Sequence, residues 1–251
     1  MTEPTAHAQP TVVHTPALPE VLEHGRAPDG TPLTSDRRLW IQLLVFDQVR
    51  DVAPLIRAVA GGPVRGAVYA DLNHPLRVGL LTASTEPTFF VEELRTFLLR
   101  TAWSSHPICD HWTMVGRTYA VGYEPDLEAA LIHRPLRRIC HREWPWAIWY
   151  PLRRRSKFER LPPELQRDIM KEHAELGQRW SEAGEGYDIR LLCHGLDQND
   201  NDFVIGLVGP RLASLSAMVR AMRKTRQTST YLERLGPFFV GRVLWQSDPT
   251  I

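Results

Sequence analysis

Apolar residues first gather at Leu39-Trp40-Ile41-Gln42-Leu43-Leu44-Val45-Phe46, a nearly unbroken run that predicts a buried strand. A helical period follows through Val52, Leu55, Ile56 and Val59, and Gly61-Gly62-Pro63 ends it, since neither residue type sustains a helix. Strands are predicted over 64–70 and 77–83, parted by Asn73-His74-Pro75. Phe89, Phe90, Leu94, Phe97 and Leu98 then recur at helical spacing within 86–103, and 112–123 reads as a strand. The order strand, helix, strand, strand, helix, strand is the ferredoxin-like plan. It returns without obvious sequence identity in a strand at 146–152, a helix at 163–180, strands at 187–194 and 202–208 and a helix from Leu212. Pro163 suits a first helical turn, and Gly184 and Gly186 follow the end of that helix. The pattern therefore predicts an α+β fold of two ferredoxin-like lobes, 37–130 and 131–251, with antiparallel sheets and helices packed outside. Residues 1–36 hold six prolines and no sustained period, so ordering them brings little burial, and a flexible arm is expected.

Composition narrows the function little. With 30 Lys and Arg against 29 Asp and Glu in 251 residues, the chain has no global field to draw in nucleic acid or an acidic membrane. Full disorder, collagen and a disulfide scaffold are excluded. Three scattered cysteines and no basic segment followed by an apolar one lead to the expectation of a reduced, cytoplasmic protein. No apolar run reaches the roughly 18 residues of a bilayer-crossing helix, so no membrane partner is expected. Phosphate-binding glycine loops, H-E-x-x-H and G-x-S-x-G are all missing from the sequence.

Three local features carry chemistry. In the helix at 163–180, Leu165, Ile169, Leu176 and Trp180 share a face, and His173 fills the gap in that stripe. Burying an imidazole is costly unless its nitrogens find partners. A backbone carbonyl is the plain answer, and a metal or cofactor iron the functional one. The second feature runs from His133 to Arg160 and concentrates Arg134, Arg137, Arg138, Arg142, Arg153, Arg154, Arg155, Lys157 and Arg160 among Trp144, Trp146, Trp149, Tyr150 and Phe158. Such a segment suits single-stranded nucleic acid or a flat aromatic polyanion, unless it is an edge strand with a solvated arginine tail. Strand alternation puts Trp146, Ile148, Tyr150, Leu152 and Arg154 on one face, a phenol two pleats from a guanidinium. The third, His106-Pro107-Ile108-Cys109-Asp110-His111 with Cys140-His141 beyond it, lacks the compact ligand pairs of a structural zinc site.

Tyr150-Pro151-Leu152, Leu161-Pro162-Pro163-Glu164, Glu172-His173, Met222-Arg223 and Gly236-Pro237-Phe238-Phe239-Val240-Gly241 occur in the order found in the chlorite dismutase-like family. The resemblance is strongest over 133–242 and lies closest to the family's coproheme decarboxylases of the actinobacterial type. It implies a dimeric α+β barrel, usually assembled as a homopentamer, with an iron porphyrin in the C-terminal lobe. It further implies His173 as proximal iron ligand and Tyr150 as the redox-active tyrosine that attacks a propionate. His133, in His133-Arg134-Pro135, is implied as the general base. Arg154 and Arg223, with Ser229 as a weaker candidate, are implied as partners of the carboxylates. The implied reaction converts iron coproporphyrin III (coproheme), at once substrate and redox centre, to heme b with hydrogen peroxide as oxidant. A coproporphyrin ferrochelatase is an implied partner, and nucleic acid loses its claim.

Departures keep a rival in play. The distal glutamine found in the Firmicutes type has no clear equivalent, and Arg190 or His194, on one face of the following strand, is placed to point toward an iron. A distal arginine is a trait of chlorite dismutases, so a chlorite dismutase or peroxidase is the alternative, and a non-catalytic binder of heme or nucleic acid the third. Against the rival, the stretch where chlorite dismutases carry a carboxylate partner for the proximal histidine reads Lys224-Thr225-Arg226-Gln227-Thr228.

Overall fold

The computed structural model describes residues 21–250. It opens with an antiparallel hairpin, β1 (Glu23–Arg26) and β2 (Pro32–Ser35). The expected flexible arm is therefore ordered from residue 21 onward, and its first 20 residues lie outside the described ones. Charge holds the hairpin, which is why a search for apolar periodicity misses it. The buried Glu23 carboxylate accepts from Arg117 Nη1 at 2.5 Å and from Ala120 N at 2.8 Å, with Arg38 Nη2 at 3.2 Å. A buried carboxylate so fully partnered fixes its segment in place.

The first lobe comprises β3 (Trp40–Phe46), α1 (Ala53–Ala60), β4 (Gly66–Asp71), β5 (Val78–Ser84), α2 (Thr88–Val91), α3 (Glu93–Arg100) and β6 (Met114–Thr118). The helix predicted over 86–103 is broken into α2, α3 and a 3-10 turn at Ala102–Ser105. That turn seats the buried Trp103 edge-on to Phe46, ring centroids 4.7 Å apart. The strand predicted over 112–123 stops at Thr118, because the Glu124 carboxylate gathers the amides of Val121 and Gly122 into a turn. A π turn at Ala129–His133 and α4 (Arg134–Ile139), both missed by the sequence pattern, lead into the second lobe. There follow β7 (Trp146–Arg154), α5 (Pro163–Glu182), β8 (Tyr187–Leu192), β9 (Phe203–Gly209), α6 (Leu212–Met222), α7 (Arg226–Tyr231), β10 (Leu232–Leu235) and β11 (Phe239–Gln246).

Strands neighbour one another in the order β4-β5-β3-β6 in the first lobe and β8-β9-β7-β11 in the second, the same arrangement twice. β6 pairs with β8 and β11 with β4, so the lobes are two halves of one closed eight-stranded barrel, and β10 lies beside the far end of β7. Alternation along each strand then divides the side chains. Ile41, Leu43, Tyr69, Trp149, Val204 and Phe239 fill the barrel. Leu44, Phe46 and Leu80 face outward beneath Leu55 and Val59 of α1 and Leu94 of α3. Ile148, Tyr150, Leu152, Phe203 and Leu207 face outward beneath Leu215 and Met218 of α6. This last layer carries the site.

Candidate active site

A cavity of about 310 Å³ lies between the outer face of β7, β8 and β9 and the helices α5, α6 and α7. Its floor is set by register. Tyr150 stands opposite Ile205, and Ile205 opposite Arg190, and all three line the cavity. Its roof is a stripe of α5, with Met170, His173, Ala174, Gly177, Gln178 and Ser181 at helical spacing. The stripe Leu165, Ile169, Leu176 and Trp180 lies beside it, and of those four only Ile169 is fully buried. The helix thus presents a cavity-lining face and a packing face side by side.

His173 is held by a short chain of hydrogen bonds. The Thr225 hydroxyl donates to the Met222 carbonyl at 2.8 Å, and its oxygen lies 3.1 Å from His173 Nδ1. With its hydrogen so used, that oxygen accepts from Nδ1–H, which leaves the lone pair on Nε2. Nε2 has no hydrogen-bond partner among the described residues, and the ring lines the cavity. Burial lowers the imidazole pKa from 6.5 to about 4, because the charged form loses its hydration there. The side chain is a neutral base, oriented by Thr225 and aimed into the cavity. Thr225 was not singled out in the sequence, although as the N-cap of α7, accepting from Thr228 N, it carries a readable helix-start signal.

Tyr150 is 7% exposed and its ring stacks on Phe238 at 4.7 Å between centroids. Burial pushes the phenol pKa upward, so it stays protonated, and its hydroxyl has no partner among the described residues. Arg223 reaches over the other ring of this pair, 5.8 Å from the Phe238 centroid. Arg154 sits over Phe158 and Phe203 at 4.3 and 4.8 Å, with Nη1 3.3 Å from Glu159 and a buried Nε that has no partner among the described residues. Arg190 rises from the floor and pairs with Asp188 at 3.3 Å.

The structure thus brings His173, Tyr150, Arg154, Arg190 and Arg223 into one cavity, and does not bring in three other candidates. The side chain of His133 is 46% exposed and 3.7 Å from Glu128, while its neighbour Arg134 lines the cavity instead. Ser229 spends its hydroxyl on the Thr225 carbonyl at 2.9 Å on the exposed side of α7. His194 lies out beside Asp202 at 3.8 Å. Tyr119, Asp188 and Gln227 also line the cavity. Asp188 shares the face of Arg190 by strand alternation and was open to the same reading, whereas Tyr119 and Gln227 lie beyond any sustained period.

Tyr150 and Arg154 of the basic stretch line the cavity, whereas its nucleic-acid reading and the zinc reading of the histidine and cysteine stretch find no support among the described residues. Much of the basic stretch is locally compensated, Arg138 by Asp188, Arg142 by Asp248 and Arg153 by Asp200. Trp144 is already stacked between His141 and Tyr187 at 3.9 and 4.1 Å, which removes the face a base would need. Cys109 Sγ faces Asp47 at 3.8 Å, and among the described residues no three metal-ligating side chains gather. Among those residues, too, no helix is long and apolar enough to cross a membrane.

The family model described as chlorite dismutase matches residues 64–244, and the chain belongs to that family. Solved structures with the same fold include a heme-binding protein from Thermus thermophilus, 18% identical, with a TM-score of 0.63 over 83% of this chain and 94% of that one. Another is the chlorite dismutase of Candidatus Nitrospira defluvii in complex with imidazole, 15% identical, with a TM-score of 0.60 over 83% of this chain and 92% of that one. No curated protein matches the sequence.

Proposed function

We propose that the cavity binds iron coproporphyrin III through His173 and oxidatively decarboxylates two of its propionates with hydrogen peroxide, giving heme b. The observation that carries this reading is the meeting, in one cavity, of a neutral imidazole with an unpartnered Nε2 and a buried, protonated phenol. The surroundings fit a flat, multiply anionic ligand. Ala174 and Gly177 put little bulk into the roof beside His173, the apolar lining includes Met, Leu and Phe, and Arg154 keeps a buried N–H unused among the described residues. Bound iron would supply the activation of peroxide and the oxidising power.

The remaining tasks fall to the chain's own groups. His173 holds the iron from the helix side, with Thr225 fixing its tautomer. Tyr150 gives up its hydroxyl proton and one electron, and the resulting phenoxyl takes a hydrogen atom from the neighbouring propionate. The carbon radical left there passes one further electron to the oxidised porphyrin site as its carboxylate leaves as carbon dioxide and the side chain becomes a vinyl group. Each propionate consumes one peroxide and one proton and yields carbon dioxide and two waters. Arg223, across Phe238 from Tyr150, steadies the reacting carboxylate, and Arg154 a second one. His133, exposed beside Glu128 and absent from the cavity lining, does not reach the position that a base for peroxide needs.

One observation favours a second reading. Arg190 lines the floor of the cavity whose roof carries His173, and a cation there is suited to holding a small oxyanion such as chlorite. The neutral Thr225 contact weighs against it, because an uncharged acceptor makes the imidazole a weaker donor than a carboxylate would, and that suits a porphyrin that must leave as product. Adding ferric coproheme, titrating peroxide and measuring product mass separates the two. Loss of two carboxyl groups is the expected result. Unchanged mass together with fast oxygen release from chlorite would establish the second reading in its place.

A further inference from the structure

Gln227 stands in the first turn of α7, 5% exposed, and it lines the cavity with a buried side-chain oxygen that has no hydrogen-bond partner among the described residues. Leaving a buried amide oxygen unsatisfied is costly, and native proteins seldom do so without a reason. The amide lies in the wall of a ligand site, where a bound group would complete it. A half-turn about its last bond exchanges oxygen and nitrogen at the same place, so the side chain can offer an acceptor or a donor. Its surroundings choose between them. Arg223, four residues earlier and lining the same cavity, has no acidic partner among the described residues, its guanidinium meeting only the Phe238 ring. An uncompensated cation and an unfilled amide in one cavity wall call for an anion that accepts hydrogen bonds.

We propose that Gln227 donates its amide N–H to a carboxylate of the bound porphyrin and so selects carboxylated porphyrins over those without carboxylates. This rests on the porphyrin reading above and adds a specificity-determining residue to it. The amide suits the task better than a further arginine would, because it discriminates by direction without raising the positive charge of an already arginine-rich cavity.

The test is a pair of binding titrations followed by the visible spectrum, with ferric coproheme and with the carboxylate-free iron octaethylporphyrin as probes. Gln227→Leu is expected to weaken coproheme binding about tenfold, the scale of one hydrogen bond to a charged group, and to leave the affinity for iron octaethylporphyrin as in the parent chain. Gln227→Glu, which keeps the shape and adds a negative charge, is expected to weaken coproheme more and again to spare the carboxylate-free probe. Parental coproheme affinity in both variants overturns the proposal. Equal weakening of both probes overturns it too, since the residue then serves packing. Both outcomes leave the porphyrin reading standing, whereas a parent chain that binds neither porphyrin removes that reading and the proposal with it.

Discussion

Replacing Tyr150 by phenylalanine is expected to leave ferric coproheme binding within about twofold and to cut heme b formation at least about 10³-fold, on the order of 4 kcal/mol of barrier. The two expectations rest on different parts of the same side chain. The ring fills space against Phe238 at 4.7 Å and belongs to the apolar layer under α6, and phenylalanine keeps that packing. The hydroxyl is what burial keeps protonated and without a partner, so the O–H hydrogen is ready to leave as an atom. Removing it should stop the reaction with the porphyrin in place. Product mass after peroxide addition checks this, with the visible spectrum as the control for binding. Full conversion by the phenylalanine variant would remove Tyr150 from the mechanism.

Replacing His173 by alanine is expected to weaken coproheme binding at least about 100-fold, on the order of 3 kcal/mol, and to change the spectrum of whatever still binds. The loss should exceed that from any one arginine, because several cations line the cavity while His173 is the one histidine among its described lining residues. A pH signature goes with it. In the porphyrin-free protein the His173 pKa is lowered from 6.5 to about 4, so between those values the unfolded chain binds the proton and the folded chain does not. Folding stability should therefore be free of this contribution above about pH 6.5 and decline as pH falls from there toward about 4. Denaturant titrations across that window should show a shallower decline in His173→Ala. An identical slope in both proteins would mean that the imidazole is not buried in the neutral form.

How much of this is legible in the sequence depends on what holds each part. Seven of the eight barrel strands are readable, most of them as apolar runs set off by Gly, Pro and Asn, and the face shared by Tyr150, Leu152 and Arg154 follows from alternation alone. The inward turn of His173 follows from helical spacing. The hairpin β1 and β2 is not readable, since Glu23, Arg38 and Arg117 are far apart in sequence and meet only once β6 has paired with β3. β11 is missed because its burial alternates weakly and it draws order from pairing with both β4 and β7. Thr225 and Gln227 face the site from a six-residue helix, too short for a period to give direction. His133 shows the reverse limit. A motif can name a residue while the local backbone, here a π turn ending at that residue, points its side chain toward Glu128.

The central claim is that the free nitrogen of His173 is what grips the porphyrin iron. Resonance Raman spectroscopy of the ferrous coproheme complex addresses that bond directly when the protein is made with ¹⁵N-histidine and the porphyrin with ⁵⁴Fe. A low-frequency band that moves with both isotopes, vanishes in His173→Gly and returns when imidazole is added to that variant is the predicted result. An isotope-sensitive band that persists unchanged in His173→Gly without added imidazole would show that another group holds the metal.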